Sequence, residues 1–310
     1  MAKLAPRAAK GVIHQMAGGR TWLRALRAHQ WAKNILVFAP LALSGVAGLR
    51  LEPILNVLGL FACLSALASG TYLINDLSDL KADRKHRSKK HRPLASGAIS
   101  ARSGGLAAGL LIVAGLAGAF LISPKAAFGL IAYLALTLAY SLRFKRIPIL
   151  DVTVLGVLYS LRLLIGAAGA GTVASVWLLT FALFFFVSLS LAKRHSEIVA
   201  AQDAGQKTLP GRGYLVDDGP VTLGLGISAA VASVLIVVLY LTDEAFPSGV
   251  YNNPAFLWAA PLLLHLWVSR IWLLAHRGQM DDDPVAFAVR DKTSLVVAGL
   301  LGLALLAALI

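Results

Sequence analysis

Three aspartates stand close together in the chain, at a spacing that could bind a metal ion. Asp76, Asp79 and Asp83 follow an apolar run at intervals of three and four residues, so a helix continuing through them would carry all three carboxylates on one face. Carboxylate oxygens suit Mg²⁺, and substrate phosphates commonly complete such sites. Two interpretations stay open: a magnesium site that receives a phosphorylated substrate, or a solvated helix end balanced by neighbouring lysines and arginines.

A second polar stretch, with Lys193, Arg194 and Glu197, follows another apolar run. Lys193 and Glu197 are four residues apart, which is the spacing of an ordinary ion pair on a helix surface. The same residues could also contribute to a substrate site. The sequence pattern alone leaves both interpretations open.

A third polar stretch contains Tyr140, Lys145 and Arg146 and leads into an apolar run that holds Asp151 and Arg162. Charged residues at membrane depth are costly and are functional candidates by default. Asp151 and Arg162 are eleven residues apart, about three helical turns, and therefore face the same side of a helix. They belong either to a substrate site or to a structural ion pair inside the bundle.

Two further polar segments have simpler explanations. Lys33 and Asn34 lie just before the first apolar run, beside Trp31, where such residues are ordinary membrane anchors. The charged segment from Asp281 to Lys292 is most simply a solvated loop.

The composition indicates what kind of protein must position these groups. Of 310 residues, 58% are hydrophobic and 14% are charged, yet 29 lysines and arginines against 15 acids give a net charge of +14. Soluble domains carry about a quarter charged residues, so a soluble α/β enzyme, a disordered chain and a disulfide scaffold are excluded. So apolar a chain could not present a soluble basic face to nucleic acid. A membrane protein with basic loops explains both numbers.

Apolar runs of about 20 residues predict transmembrane helices, since only a helix satisfies its own backbone hydrogen bonds in the bilayer. We predict an all-α, polytopic bundle of nine spans, the third and fourth forming an antiparallel hairpin. The predicted spans are Ile35–Leu49, Ile54–Ile74, Leu106–Ile122, Ala126–Leu142, Ile147–Ala168, Ala174–Ala192, Val221–Leu241, Phe256–Ala275 and Leu295–Ile310.

The distribution of cations predicts the orientation, because loops on the cytoplasmic side are enriched in Lys and Arg. With nine spans, 26 of the 29 cations fall on one side, which places the N-terminus in the cytoplasm and the C-terminus outside. We expect a multi-pass protein of the inner membrane. Residues 1–34 are predicted to be a basic cytosolic arm or interfacial helix, and residues 35–310 one bundle with cytoplasmic active-site loops at about 75–103 and 193–220.

The run N-D-x-x-D-x-x-x-D-R, from Asn75 to Arg84, resembles the first aspartate motif of the UbiA superfamily of intramembrane prenyltransferases. At the end of a membrane span this motif is a specific signal, and the nine-span, cytoplasm-facing pattern agrees with that family's fold. The resemblance covers most of the chain. It also includes Arg92-Pro93, Tyr140-Ser141, Lys145-Arg146, Asp151 and the polar loop after the sixth span.

Four segments resemble one subgroup of that family, the decaprenyl-phosphate phosphoribosyltransferases. They are Arg27 to Leu41, Arg92 to Gly97, Lys193-Arg194-x-x-Glu197, and Asp283 to Asp291. Aromatic prenyltransferases of the family typically carry a second D-x-x-x-D motif that holds a prenyl diphosphate through magnesium. Here that position has one acid and two fixed cations, which argues against a prenyl-diphosphate donor.

The resemblance implies magnesium-dependent transfer of 5-phosphoribose from phosphoribosyl diphosphate to a polyprenyl phosphate, for the synthesis of lipid-linked arabinose donors. It implies Asp76, Asp79, Asp83 and Glu197 as catalytic residues, the three aspartates as magnesium ligands. The implied substrate-binding residues are Lys33, Asn34, Asn75, Lys85, Lys89, Arg92, Tyr140, Lys145, Arg146, Asp151, Arg162, Lys193 and Arg194. Among these, Lys85, Lys89 and Arg92 would bind the sugar donor's phosphates, and Lys193 and Arg194 the acceptor phosphate.

Two alternatives stay open. The first is a polyprenyl-diphosphate transferase acting on an aromatic or isoprenoid acceptor. The second is a membrane transporter, although transporters tend to show internal repeats and polar or broken helices near the midplane, whereas the charges here gather on one side.

Overall fold

The computed structural model describes residues 18–45, 50–85, 89–209, 211–280 and 284–310. Within these ranges the regular elements are helices, and the one β-type pairing is an isolated bridge between Thr208 and Leu215. The α-helices are α1 Gly19–Ala25, α2 Ala39–Leu43, α3 Leu51–Ser78, α4 Leu80–Lys85, α5 Ala101–Ile122, α6 Pro124–Leu142, α7 Leu150–Ala170, α8 Val176–Asp203, α9 Gly219–Tyr240, α10 Ala259–His276, α11 Pro284–Ala288 and α12 Lys292–Leu309.

Eight helices of the described chain are long and apolar enough to cross a membrane. They are α3, α5, α6, α7, α8, α9, α10 and α12. The spans that contain α9 and α10 also include short helical turns next to these helices. They correspond to the second through ninth predicted spans, so the prediction of an all-α polytopic bundle is confirmed. The hairpin of the third and fourth spans turns at Ser123, whose hydroxyl accepts a hydrogen bond from the Ala126 amide at the start of α6.

The first predicted span, Ile35–Leu49, has a different structure. A 3₁₀-helix covers Ala28–Phe38 and is followed by the five residues of α2, while residues 46–49 lie outside the described chain. Pro40 stands at the start of α2, and a proline disrupts a continuing helix because it lacks the N–H and clashes with the preceding turn. The count of nine spans and the cytoplasmic N-terminus remain predictions.

Helix α7 lies at the centre of the bundle and contacts α3, α6 and α8. One core cluster packs α7 against α8 and α10, and another packs it against α3 and α6. The 3₁₀ segment also crosses α7, and a Cβ on Gly166 would lie 2.0 Å from the Val37 carbonyl oxygen. Only glycine permits this approach, which fixes the N-terminal segment across the middle of the bundle.

Candidate active site

The first acidic cluster forms where α3 ends. Asp76 lies in the last turn of α3, Asp79 is a single non-helical residue, and Asp83 lies on α4. The amide of Asp79 bonds to the Asn75 carbonyl at 3.0 Å and the amide of Asp83 to the Asp79 carbonyl at 2.8 Å. The chain therefore stays close to helical through the motif, and the spacing brings Asp76 and Asp83 to one side.

Asp76 and Asp83 are buried and share one guanidinium. Arg92 Nη1 donates to Asp76 Oδ1 at 3.1 Å and to Asp83 Oδ2 at 2.7 Å. Arg27 Nη2 donates to the same oxygen of Asp76 at 2.6 Å, with its guanidinium over the Tyr72 ring. The two arginine side chains are 24% and 28% exposed, so they reach the carboxylates from the solvent-accessible side.

Asp79 has a different environment from the other two aspartates. Its Oδ2 accepts a hydrogen bond from Asn75 Nδ2 at 3.3 Å. In the described ranges no three acidic, histidine or cysteine side chains converge closely enough to hold a metal ion. The arrangement is therefore a pair of buried carboxylates, Asp76 and Asp83, with Asp79 beside it. The resemblance had implied all three aspartates as magnesium ligands.

This pair fits a divalent cation chemically. Arg92 Nη1 shows that a positive charge is stabilised between Asp76 and Asp83. Mg²⁺ is usually held by one or two carboxylates together with waters and substrate phosphates. Two hard oxygen donors converging on one cationic position meet that requirement, provided the guanidinium moves away.

A second cluster centres on Asp151 at the start of α7, and it is fully buried. Arg194 Nε donates to Asp151 Oδ2 at 2.7 Å, and the Tyr214 hydroxyl donates to Oδ1 at 2.7 Å. Burial raises the pKa of Tyr214 above its usual range, so this phenol remains protonated as a hydrogen-bond donor. A buried charge requires such partners, and here both carboxylate oxygens have one.

Tyr214 also holds a strained turn. Ile149 has φ +66°, a conformation that β-branched residues rarely adopt. Its amide donates to the Tyr214 hydroxyl at 2.9 Å, while the Leu150 amide bonds to the Pro148 carbonyl at 2.7 Å. Strain of this kind persists only where the surroundings over-determine it. The Tyr214 contact therefore fixes the entry to α7 and the position of Asp151.

Arg194 is committed to two carboxylates. Besides Asp151 it donates through Nη1 to Glu197 Oε2 at 2.5 Å, and its side chain is 2% exposed while that of Glu197 is 38% exposed. Arg194 thus joins a buried acid to a partly exposed one. This geometry suits orientation of Glu197 better than the predicted direct contact of Arg194 with an acceptor phosphate.

Arg162 and Asp151 belong to separate networks, so the predicted alternative of an ion pair between them is wrong. Arg162 donates to Asn34 Oδ1 at 3.1 Å, to the Tyr133 hydroxyl at 2.9 Å and to the Leu158 carbonyl at 2.8 Å. Eleven residues along a helix correspond to a rise of roughly 16 Å, which two side chains cannot bridge. Arg162 and Asn34 instead join the 3₁₀ segment to α7 inside the bundle.

The remaining predicted cations lie on several different elements. Lys85 ends α4 and is exposed, Lys89 begins a short 3₁₀ turn and is exposed, and Lys145 and Arg146 lie in the turn Phe144–Arg146. Lys193 is half-buried on α8, and Lys33 is half-buried in the 3₁₀ segment. The acidic residues Asp281–Asp283 of the predicted tail lie outside the described residues.

Arg212 is a residue that the sequence prediction did not include in the site. Its Nη1 donates to the Tyr140 hydroxyl at 2.9 Å and to the Lys145 carbonyl at 3.4 Å. The adjacent Gly213 allows the loop to lie close to the turn at Arg146, because a Cβ at this position would lie 2.4 Å from the Arg146 carbonyl oxygen. The available signal was an arginine between two glycines in a polar loop on the same predicted side as the aspartates.

Comparisons with known proteins identify the family and the fold of the chain. The sequence profile of the UbiA prenyltransferase family matches residues 35–291, and the chain belongs to that family. A UbiA homolog from Archaeoglobus fulgidus, solved with DMAPP and Mg²⁺, shares the fold with a TM-score of 0.68 at 18% identity, covering 93% of this chain and 99% of that one.

Three relatives extend the comparison. Protein y4nM of Sinorhizobium fredii, of uncharacterised function, is 44% identical over 94% of this chain, which spans 56% of that protein's length. Nodulation protein NoeC of Azorhizobium caulinodans is 35% identical over 92% of this chain and 91% of its own. Decaprenyl-phosphate phosphoribosyltransferase of Mycobacterium tuberculosis is 34% identical over 59% of this chain and 62% of its own. The protein is thus an integral membrane transferase of the UbiA family.

Proposed function

We propose that this protein transfers 5-phosphoribose from phosphoribosyl diphosphate to a polyprenyl phosphate, with release of diphosphate and with magnesium as cofactor. The reaction would take place at the cytoplasmic face of the inner membrane, where the distribution of cations along the chain predicts the charged loops to lie. The product would be a lipid-linked phosphoribose, a precursor for lipid-linked arabinose donors.

The observation that carries this proposal is the convergence of Asp76 and Asp83 on one cationic position. Such a pair suits a single magnesium–diphosphate group. At the second motif position of the family the acid is Glu197, which is already paired with Arg194. This difference from a two-aspartate second motif, together with the phosphoribosyltransferase relatives, supports a sugar donor over a prenyl-diphosphate donor.

The residues at the end of α3 would bind the diphosphate of the donor. Asp76 and Asp83 would hold the metal, with Asp79 and Asn75 beside them, and magnesium would supply neutralisation of charge on the leaving diphosphate. Arg92 and Arg27, released from the two carboxylates, would donate to phosphate oxygens, for which the guanidinium fork is well suited. Lys85 and Lys89, exposed near this cluster in sequence, would add positive charge.

The chemistry needs no strong protein base. A lipid phosphate oxygen attacks the anomeric carbon, the bond from that carbon to the diphosphate oxygen breaks, and the diphosphate leaves with the electron pair. The acceptor phosphate is already ionised at neutral pH, so the protein's part is positioning and electrostatic stabilisation. The polyprenyl chain would lie along the apolar, membrane-facing side chains of the bundle.

The test is a donor assay on the purified protein in detergent with magnesium and a polyprenyl phosphate acceptor. Radiolabelled phosphoribosyl diphosphate is expected to yield a labelled lipid. Labelled prenyl diphosphate, supplied with an aromatic acceptor, is expected to yield no prenylated acceptor. The reverse result would identify a polyprenyl-diphosphate transferase and overturn the proposal. Vesicles that accumulate a water-soluble substrate without forming any labelled lipid would point to a transporter.

A further inference from the structure

A cleft of about 440 Å³ lies beside α8, between its last turns and the loop that follows. We call it the α8 cleft. Its lining consists of small side chains and a few polar groups, with one larger apolar residue. The lining residues are Glu197, Ala200, Ala201, Ala204, Gln206, Leu209 and Arg212.

The loop that forms the outer wall is held in place by its own hydrogen bonds. The Leu209 amide bonds to the Tyr214 carbonyl at 3.0 Å, and the Val216 amide to the Lys207 carbonyl at 3.1 Å. Tyr214 anchors the loop through its bond to Asp151. The cleft is therefore a built feature of the fold, with both walls tied to the buried network of α7 and α8.

The α8 cleft contains two side chains of opposite charge, Arg212 and Glu197. In the described part of the chain, the hydrogen bonds of Arg212 go to two neutral oxygens, the Tyr140 hydroxyl and the Lys145 carbonyl. Its positive charge is therefore available to an anion. Glu197 has one oxygen on Arg194 and a side chain that is 38% exposed, which leaves it accessible from the cleft.

This combination of groups selects a class of ligand. A guanidinium binds a phosphate monoester through charge-assisted hydrogen bonds, and a carboxylate with a neighbouring amide accepts hydrogen bonds from hydroxyl groups. Three alanines allow a small ring to approach α8 closely. Because Leu209 is the single large apolar side chain in the lining, a prenyl chain finds little apolar surface there.

We propose that the α8 cleft binds the sugar-phosphate portion of the donor, with Arg212 on the 5-phosphate and Glu197 on the ribose hydroxyls. Arg194 acts here as a positioning residue, because it is buried and holds Glu197. This inference rests on the proposed function, since it names how that donor is recognised. It adds Arg212 and Gln206 to the site and gives the monoester phosphate its own ligand.

A binding experiment without metal tests the inference separately from catalysis. Ribose 5-phosphate carries the monoester and the hydroxyls but no diphosphate, so labelled ribose 5-phosphate can be dialysed against the full-length protein in detergent with EDTA. We expect binding to the wild type, at least ten-fold weaker binding to Arg212→Gln, and intermediate binding to Arg212→Lys. Lys207→Gln, which removes an exposed cation of the same loop, serves as the matched control and should bind like the wild type.

Two results would overturn the inference: no binding of ribose 5-phosphate to the folded wild type, or equal loss of binding in Lys207→Gln and Arg212→Gln. A thermal unfolding midpoint for each variant shows whether the protein remains folded. If Arg212→Gln does not fold, Arg212→Lys still tests the inference.

Steady-state kinetics then separate this inference from the proposed function. Arg212→Gln should raise the KM for phosphoribosyl diphosphate at least ten-fold and leave the KM for polyprenyl phosphate unchanged. A rise confined to the lipid KM would assign the cleft to the acceptor and overturn the inference. A wild type that transfers nothing from phosphoribosyl diphosphate would instead remove the proposed function, while the dialysis result would still report on the cleft.

Discussion

Two carboxylate–arginine clusters of this protein differ in exposure. In the cluster at the end of α3, Asp76 and Asp83 are buried but their partners Arg27 and Arg92 are 24% and 28% exposed. In the cluster between α7 and α8, Asp151 is fully buried and Arg194 is 2% exposed. Both clusters pair buried aspartates with arginine, but the arginines of the first are far more exposed than Arg194.

This difference separates a site that can exchange its cation from one that cannot. Partly exposed arginines can leave their carboxylates for phosphate or be replaced by a metal ion, since water solvates the intermediate state. Removing a guanidinium from a fully buried carboxylate leaves an uncompensated charge, at a cost of several kcal/mol. We therefore interpret the first cluster as the reacting one and the second as the framework that holds the α8 cleft in place.

The largest expected effect is on stability, from Asp151→Asn. This change removes a charge that partly neutralises the buried Arg194, and breaking a buried pair in this way costs about 3–5 kcal/mol. Unfolding of the purified protein in mixed micelles with increasing SDS measures the loss. Glu197→Gln removes the other, more exposed partner of Arg194 and should cost clearly less.

A second substitution tests whether the cost comes from the unpaired charge. Arg194→Met in the Asp151→Asn background should recover part of the lost stability, because a neutral pair of similar volume leaves no buried charge. An Asp151→Asn protein as stable as the wild type would show that the two clusters do not differ as we infer.

The next effect is on catalysis, from Asp76→Asn. Loss of this carboxylate should reduce transfer by about 100-fold or more, or about 2.7 kcal/mol of transition-state stabilisation. Stability should change little, because the partners of Asp76 are partly exposed arginines. Mn²⁺ binding followed by electron paramagnetic resonance should weaken in parallel, and Asp243→Asn, an exposed acid outside both clusters, is the control. Normal transfer by folded Asp76→Asn protein would remove Asp76 from the metal site.

A smaller effect is expected from Tyr214→Phe. The substitution removes the hydroxyl that donates to Asp151 and accepts from the Ile149 amide, so stability should fall by about 1–2 kcal/mol. In the same background, Ile149→Gly should recover part of the loss, since glycine adopts a positive φ without strain. No recovery, measured by the same SDS unfolding, would mean that Tyr214 does not serve to hold this turn.

The smallest expected effect concerns Asp291, outside both clusters. Burial alone would raise the pKa of Asp291, but hydrogen bonds from Arg270 and Ser294 outweigh it and hold this pKa below its usual range. A carboxylate with a lowered pKa stabilises the fold above its unfolded pKa of about 4, and this contribution is lost as the pH falls through the folded pKa. Asp291→Asn should thus lower the unfolding midpoint slightly at pH 7, and the difference from the wild type should shrink below about pH 4. A difference independent of pH would contradict this.

The eight long spans could be predicted because each depends on a local apolar run, and the bilayer makes helix the only backbone solution for such a run. The position of Asp76 and Asp83 on the same side could also be predicted, since a spacing of seven residues places both on one helix face. The 3₁₀ structure of the segment before α2 could not be predicted in this way. It depends on Pro40 and also on the close approach of Val37 to Gly166, which is a tertiary contact.

The partners of the buried charges could not be predicted from spacing. Asp151 and Arg162 share a helix face, yet Asp151 pairs with Arg194 on the neighbouring helix and with Tyr214 in a loop 63 residues away. Arg162 instead meets Asn34, 128 residues away. Such contacts depend on how helices pack, which no local pattern encodes. The contact of Arg212 with the Tyr140 hydroxyl, 72 residues away, likewise depends on packing.

The amino-acid sequence by itself determined that this is a helical membrane protein with an acidic motif at the end of a span and a large excess of cations. Those properties follow from hydrophobicity, helical period and charge, which act over a few residues at a time. Only the tertiary structure decided which carboxylates remain accessible and which are sealed by arginine and tyrosine, because exposure results from the packing of helices that lie far apart in the chain.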